Sequence, residues 1–188
     1  LSALVLVANL AFAAGSATQP TICNRACWSA RAPRGTIYYN SGLNRAVIHH
    51  TASSGDYNVT TIDQSKARVR AIQNYSMDSL GYADTMYNFT FDKLGNIFEM
   101  RYNSIVSYTN GAHDGTNYNS IGVTLLGYYH SPYNNTPTTA QLNSLYALIA
   151  WKIPNPFNGY GSGTYNSKTC GYICGHRDVK ATACPGDI

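Results

Sequence analysis

The stretch Ala46-Val47-Ile48-His49-His50 decides how the rest of this chain is interpreted. Its first three residues are apolar, as in a buried strand, and the polar, turn-rich segment 51–60 follows the two histidines. The end of such a strand opens into a loop, where side chains can face a cleft. One histidine of the pair is therefore a candidate for chemistry, although a histidine pair at a strand end is by itself more often a packing feature.

A second histidine at a predicted strand end lies in the stretch Gly175-His176-Arg177-Asp178-Val179. Cys184 follows His176 after eight positions, which leaves a loop long enough to fold back onto one metal ion. Zinc binds imidazole nitrogen and thiolate sulfur in a tetrahedron, and catalytic sites keep the fourth position for water. A histidine of the first stretch, His176 and Cys184 would complete the three-ligand set of a catalytic Zn²⁺ site.

The remaining pattern alternates strands and helices. Apolar residues recur at helical spacing over 61–79 and over 138–151, where Thr138 and Gln141 resemble a capping box. We predict strands at 46–50, 86–92, 97–101, 121–126 and 172–174, and loops at 102–119 and 154–169. The predicted fold is α/β, a single domain with a central mixed β-sheet flanked by helices.

Composition limits the possible partners. The chain has 188 residues and a net charge of +4, without a run of Lys and Arg residues, so no nucleic-acid partner is expected. Its 16 tyrosines offer flat apolar faces with a polar tip, which suits an open groove for glycans. The alternative is a tyrosine-rich surface of a secreted protein. We expect a monomer.

The N-terminal stretch 1–14, LSALVLVANLAFAA, has the apolar run and small terminal residues of a signal peptide. It is too short to cross a bilayer as a helix, so no stable membrane insertion is expected. We predict a signal peptide remnant over 1–14, a domain over 15–188 and a secreted protein. A buried N-terminal helix is the alternative.

Five cysteines leave at least one outside intrachain disulfides. Four of them form two similarly spaced pairs, and four cysteines allow three connectivities. We predict that Cys23 and Cys27 pair with Cys170 and Cys174, which leaves Cys184 unbridged. A structural zinc site with four thiolates is the rival interpretation.

Five motifs occur in the order known from one family. The chain resembles the peptidoglycan recognition proteins and the related type 2 N-acetylmuramoyl-L-alanine amidases over 25–188. The motifs that carry the resemblance are RACWSARAP at 25–33, VIHHTAS at 47–53, Tyr87-Asn88-Phe89 with the Gly95 turn, Gly111-Ala112-His113 with YNSIG at 118–122, and GHRDV with ATACPG at 175–186.

The resemblance implies a function and a set of site residues. It implies a zinc site at the floor of a surface groove, and hydrolysis of the amide between N-acetylmuramic acid and L-alanine in peptidoglycan. The expected partner is therefore the glycan together with its stem peptide. The roles implied are Zn²⁺ ligands for His49, His176 and Cys184, catalytic hydroxyls for Tyr87 and Thr182, and substrate contacts for His50, Arg101 and His113.

Some positions depart from the family pattern. Thr124 stands where some bacterial relatives carry a glutamate, and Tyr102-Asn103 stands where many recognition proteins carry Gly-Trp or Asn-Phe. The preference between diaminopimelate and lysine peptides thus stays open, and we expect the domain's usual C-terminal helix to be truncated in this sequence. The alternatives are a non-catalytic peptidoglycan receptor and a different zinc hydrolase. Cys184 favours the amidase, because non-enzymatic members typically lose this ligand.

Overall fold

The structure is a computed structural model that describes residues 17–115, 117–153, 161–165 and 167–188. The predicted signal segment 1–14 lies outside the described residues. The strands are β1 (Arg45–His50), β2 (Phe89–Phe91), β3 (Ile97–Glu99), β4 (Ser120–Leu125), β5 (Ser162–Tyr165), β6 (Lys168–Gly171) and β7 (Ile173–Gly175), and the helices are α1 (Ile62–Asn74, continued by a π-helical turn over Tyr75–Ser79), α2 (Thr139–Lys152) and α3 (His176–Val179), with a 3₁₀ turn at Asp56–Asn58.

Five strands form the central sheet, in the order β3-β2-β4-β1-β7. β1 runs parallel to both of its neighbours, β4 and β7, whereas β2 and β3 are antiparallel. The predicted mixed sheet flanked by helices is confirmed. The prediction of a loop over 154–169 is wrong at 162–165 and 168–169, because β5 pairs with β6 in a two-stranded ladder, and residues 154–160 and 166 of that predicted loop lie outside the described residues. The Ser, Gly and Thr residues of β5 show no alternation of apolar and polar residues that would have predicted a strand.

The two faces of the sheet are packed differently. α2 covers one face, where Leu145 and Leu148 meet Phe89, Phe91 and other buried residues of the main core. α1 lies on the opposite face, where Val69 packs with Trp28, Phe98 and Met100. Because alternate residues of a strand face opposite sides, His49 points away from α2. Its neighbour in the parallel register on that face is Thr124.

Both long helices begin at a threonine cap. Thr61 caps α1 in a full capping box with Gln64. At α2, the Thr138 hydroxyl accepts the N–H of Gln141 at 3.1 Å, as predicted. The amide side chain of Gln141 does not complete the box. It bonds the Tyr129 hydroxyl and the Phe91 carbonyl instead, and so ties the helix to the sheet.

The predicted disulfide connectivity is wrong. Cys23 is bonded to Cys27, and Cys170, Cys174 and Cys184 are free. Cys23 pairs with the backbone of β3 at one edge of the sheet, whereas Cys174 lies on β7 at the other edge. Four strand spacings of about 4.8 Å separate these edges, roughly 19 Å in all, which no disulfide can bridge. The same separation rules out one site holding four thiolates.

Among the described residues, no helix has both the length and the apolar character needed to cross a bilayer.

The packing of α2 gives a test of the core. Leu148 is fully buried, whereas Tyr146 on the same helix is 52% exposed. Leu148→Ala should lower the free energy of unfolding by about 2–5 kcal/mol, because it leaves a cavity in the main core. Tyr146→Ala is the matched control and should change it by no more than about 0.5 kcal/mol. Urea unfolding followed by circular dichroism measures both, and equal effects would contradict this packing.

Candidate metal centre

Parallel pairing brings the two histidine motifs together. β7 pairs with β1 so that Gly175 lies beside Ile48, and the chain continues directly from Gly175 into α3. His176, the first residue of α3, therefore arrives next to His49. Their ring centroids are 4.4 Å apart.

Cys184 reaches the same place from the segment after α3. Its Sγ lies 3.6 Å from Nδ1 of His49, and it accepts the backbone N–H of His50 at 3.4 Å. The N–H of Cys184 donates to the Thr182 hydroxyl at 3.2 Å, which shapes the turn that carries the sulfur. His49, His176 and Cys184 each offer one ligand atom, and these atoms lie within 4.8 Å of one another.

The spacing of these donors fits zinc. Zn–N bonds of about 2.0–2.1 Å and Zn–S bonds of about 2.3 Å in a tetrahedron place nitrogen and sulfur roughly 3.6 Å apart. The separation between His49 Nδ1 and Cys184 Sγ agrees with this value. Two imidazoles and one thiol are also the donor types that zinc prefers.

Burial sets the protonation of the donors. It lowers the pKa of His49 far below its ordinary value, and nearby His113 and His176 lower it further. Burial also lowers the pKa of His176, while Asp114 opposes that shift. The imidazoles are thus neutral at physiological pH, as metal ligands must be. Burial raises the pKa of the Cys184 thiol to about 11, so a bound cation has to displace its proton.

Tyr87 and Thr182 both lie close to the ligand residues. The Tyr87 ring is 5.1 Å from that of His49. Burial, together with the nearby Cys184 sulfur, raises the pKa of Tyr87, so it stays a hydroxyl that can donate a hydrogen bond. Thr182 is exposed, and its hydroxyl accepts the N–H of Cys184.

The three residues predicted to contact substrate are all buried. His50 points to the α2 side of the sheet, where its ring lies among those of Tyr128, Tyr129 and His130. Arg101 donates to the Thr85 carbonyl at 2.6 Å. Nδ1 of His113 lies 3.1 Å from Nε2 of His49. Their contact with substrate stays a prediction.

Comparison with known proteins identifies the family. A family model described as N-acetylmuramoyl-L-alanine amidase, Amidase_2, matches residues 39–187. The chain belongs to this amidase family. Peptidoglycan-recognition protein SC2 of Drosophila simulans is 38% identical, over 98% of this chain and 90% of that protein. The predicted membership of the family of peptidoglycan recognition proteins and type 2 amidases is confirmed.

Solved structures of the family share the fold. The crystal structure of Drosophila peptidoglycan recognition protein SD matches with a TM-score of 0.72 at 24% identity and covers 90% of both chains. Peptidoglycan recognition protein LE, solved in complex with tracheal cytotoxin, a monomeric diaminopimelic acid-type peptidoglycan, matches with a TM-score of 0.69 at 26% identity. That match covers 88% of this chain and 87% of the other.

Asp114 is a site residue that sequence reasoning missed. Its side chain is 2% exposed, and its Oδ1 lies 3.9 Å from Nε2 of His176. The other carboxylate oxygen, Oδ2, and Nε2 of His176 are both buried without a hydrogen-bond partner. The available signal was a carboxylate directly after the Gly111-Ala112-His113 motif.

The donor geometry predicts zinc binding that depends on the three ligands. Cys184→Ser and His49→Ala should each weaken Zn²⁺ affinity by more than roughly 100-fold, because changes to outer-shell partners alone cost about 10–100-fold. His130→Ala is the control, since His130 is a nearby histidine outside the ligand cluster. Competition with a chromogenic chelator measures each affinity. Equal affinity in Cys184→Ser and the unaltered protein would exclude this site.

Proposed function

We propose that this chain is a zinc-dependent N-acetylmuramoyl-L-alanine amidase that cleaves the amide between N-acetylmuramic acid and L-alanine in peptidoglycan. The observation that carries the proposal is the convergence of His49, His176 and Cys184 on a spacing suited to zinc. These three residues would hold the ion. When bound, zinc polarises a carbonyl and lowers the pKa of a water molecule toward neutrality.

Tyr87 and Thr182 supply hydroxyl groups beside the ligands. The half-buried Tyr87 stays protonated, so it can donate a hydrogen bond to the scissile carbonyl oxygen as negative charge develops there. Thr182 lies two residues before the ligand Cys184 and can orient the leaving amine or the attacking water with the same kind of bond.

The proton of the attacking water needs an acceptor. Thr124 lies directly beside His49 in the register of β1 and β4, so this position offers a hydroxyl where a glutamate would act as base. The hydroxyls of Tyr87 and Thr182 are then the groups of this chain that can hold the water and relay its proton to the nitrogen of the leaving amine.

We assign peptidoglycan, glycan together with stem peptide, as the substrate. Tyr102 and Tyr118, at either end of the segment that contains His113, are exposed and offer flat faces to sugar rings. Arg101 and His113 are buried and would hold the segment between these two tyrosines in place from its buried side. The family and the named relatives support the same substrate.

We also propose that the protein is exported and acts as a monomer, with 1–14 as a signal peptide remnant and 15–188 as the amidase domain. The Cys23–Cys27 disulfide supports export, because disulfides persist mainly in oxidising compartments.

A non-catalytic peptidoglycan receptor is the second candidate. The observation in its favour is Thr124, which leaves the site without a carboxylate base on β4. Cleavage therefore has to be measured separately from binding.

Product analysis of defined muropeptides by mass spectrometry tests the proposal. The unaltered protein should release the free stem peptide, and a chelator should abolish this. Tyr87→Phe should keep its zinc but lose roughly 10²–10³ in turnover, the usual effect of removing one oxyanion donor. Cys184→Ser should lose zinc and cleavage while still sedimenting with insoluble peptidoglycan.

Tyr146→Phe, on the exposed side of α2, is the matched control for Tyr87→Phe and should keep full activity. An unaltered protein that binds zinc and peptidoglycan but releases no peptide would establish the receptor instead.

A further inference from the structure

His113 lies between a predicted metal ligand and a hydrogen-bonded serine. Its Nδ1 is 3.1 Å from Nε2 of His49, and its Nε2 is 3.3 Å from the hydroxyl oxygen of Ser120. The Ser120 hydroxyl donates in turn to the carbonyl of Asn117 at 3.1 Å. His49, His113 and Ser120 are all buried, so this chain of contacts is shielded from water.

The hydrogen bond from Ser120 to the Asn117 carbonyl gives the other contacts in this series a direction. A carbonyl only accepts, so the Ser120 O–H points to Asn117 and its oxygen accepts from His113. The proton of the neutral His113 ring is then on Nε2, and its bare Nδ1 accepts from His49. His49 therefore carries its proton on Nε2, which leaves Nδ1 bare. This is the nitrogen that lies 3.6 Å from Cys184 Sγ.

Two glycines of the backbone leave just enough space for the His113 ring beside β4. A Cβ atom at Gly122 would lie 2.1 Å from Cδ2 of His113, and one at Gly111 would lie 2.5 Å from the same atom. Only glycine at both positions lets the ring lie so close to β4. The Asn117 side chain adds a second restraint, because its Oδ1 accepts the N–H groups of both His113 and Asp114.

Asp114 stands in the same relation to the other histidine ligand. Its buried carboxylate faces Nε2 of His176 at 3.9 Å, and that nitrogen has no other partner. Metal-bound histidines commonly donate their second ring N–H to a carboxylate, which orients the ring and increases its basicity.

We propose that His113 and Asp114 are positioning residues, which hold His49 and His176 in the tautomer that presents Nδ1 to the metal ion. The inference rests on the proposed zinc site. Two adjacent residues, His113 and Asp114, would thereby orient both histidine ligands without touching the ion itself.

Zinc affinity, measured by chelator competition, tests this role apart from catalysis. His113→Leu should weaken Zn²⁺ binding by about 10–100-fold. His113→Asn should restore most of the loss, because its Oδ1 can accept from His49 where Nδ1 does now. Asp114→Ala should weaken binding as well, with rescue by Asp114→Asn. Unaltered zinc affinity in both His113→Leu and Asp114→Ala would overturn the proposal.

The tautomers themselves give a readout that does not depend on how the variants fold. Long-range ¹⁵N–¹H spectra of the unaltered, metal-free protein should assign the proton of His49 and of His113 to Nε2. A proton on Nδ1 of His49 would overturn the inference. If instead the unaltered protein shows these tautomers but binds no zinc, the proposed function fails and the positioning of His49 stands.

A second inference rests on a different observation, the two buried cysteines at the β7 edge of the sheet. Sγ of Cys170 on β6 lies 3.1 Å from Sγ of Cys174 on β7. The two residues are four positions apart, the same separation over which Cys23 and Cys27 already form a disulfide. Val47 and Val179 surround the pair and keep it from solvent.

The structure assigns Cys170 and Cys174 to a second disulfide in the mature protein. In forming it, the two thiols lose two protons and two electrons to a small disulfide oxidant, which is reduced to two thiols. The new S–S bond would fix the turn between β6 and β7, and Cys174 lies two residues before His176. Cys184 would remain as the single thiol for the metal.

Differential alkylation tests this connectivity in protein secreted from eukaryotic cells. After chelation and denaturation without reductant, one cysteine, Cys184, should be alkylated. The tryptic peptide 169–177 should be two hydrogens lighter than its dithiol form, and reduction should remove this difference. Alkylation of Cys170 and Cys174 without reduction would overturn the assignment. The internal control is the pair of tryptic peptides on either side of Arg25, which the Cys23–Cys27 disulfide links.

Discussion

The parallel pairing of β1 with both β4 and β7 is the constraint on which the site depends. Parallel strands end at the same edge of a sheet, so β1 and β7 deliver His49 and His176 to one place. The return of the chain after α3 then adds Cys184 from the same side. The three residues lie on different segments of the chain, namely β1, the start of α3 and the stretch after α3, so the donor set exists only while this pairing is intact.

Burial keeps this cluster of donors uncharged in the absence of a cation. Desolvation lowers the pKa of each histidine and raises that of the thiol, so all three donors are uncharged in the folded protein. Neutral imidazoles keep their lone pairs, while the thiol keeps a proton that a metal ion can displace. Burial therefore keeps the two histidines in the neutral form that can bind a metal ion. The thiol can bind only after an ion has displaced its proton.

The two faces of the central sheet have different roles: one packs the main core, and the other carries the candidate metal site. On the α2 side, large apolar residues such as Phe91 and Leu145 form the main core. On the other side of β1 and β4, small or polar residues such as Gly122 and Thr124 leave room beside His49. His113 occupies that room, and a larger residue than glycine at 122 would exclude it. Alternation along the strand allows one element to serve both purposes.

The sequence alone predicted the two long helices and all five central strands, because these depend on residue type and local periodicity. It also supplied the candidate metal donors His176, Cys184 and one histidine of the pair at 49–50, and the family resemblance selected His49. Tertiary structure decided the disulfide partners, since Cys23 and Cys174 lie at opposite sheet edges. It also decided that His113 and Asp114 lie against the ligands, which no local pattern could predict. Distances across a sheet follow from which strands pair, and that choice is made by contacts between residues far apart in the chain.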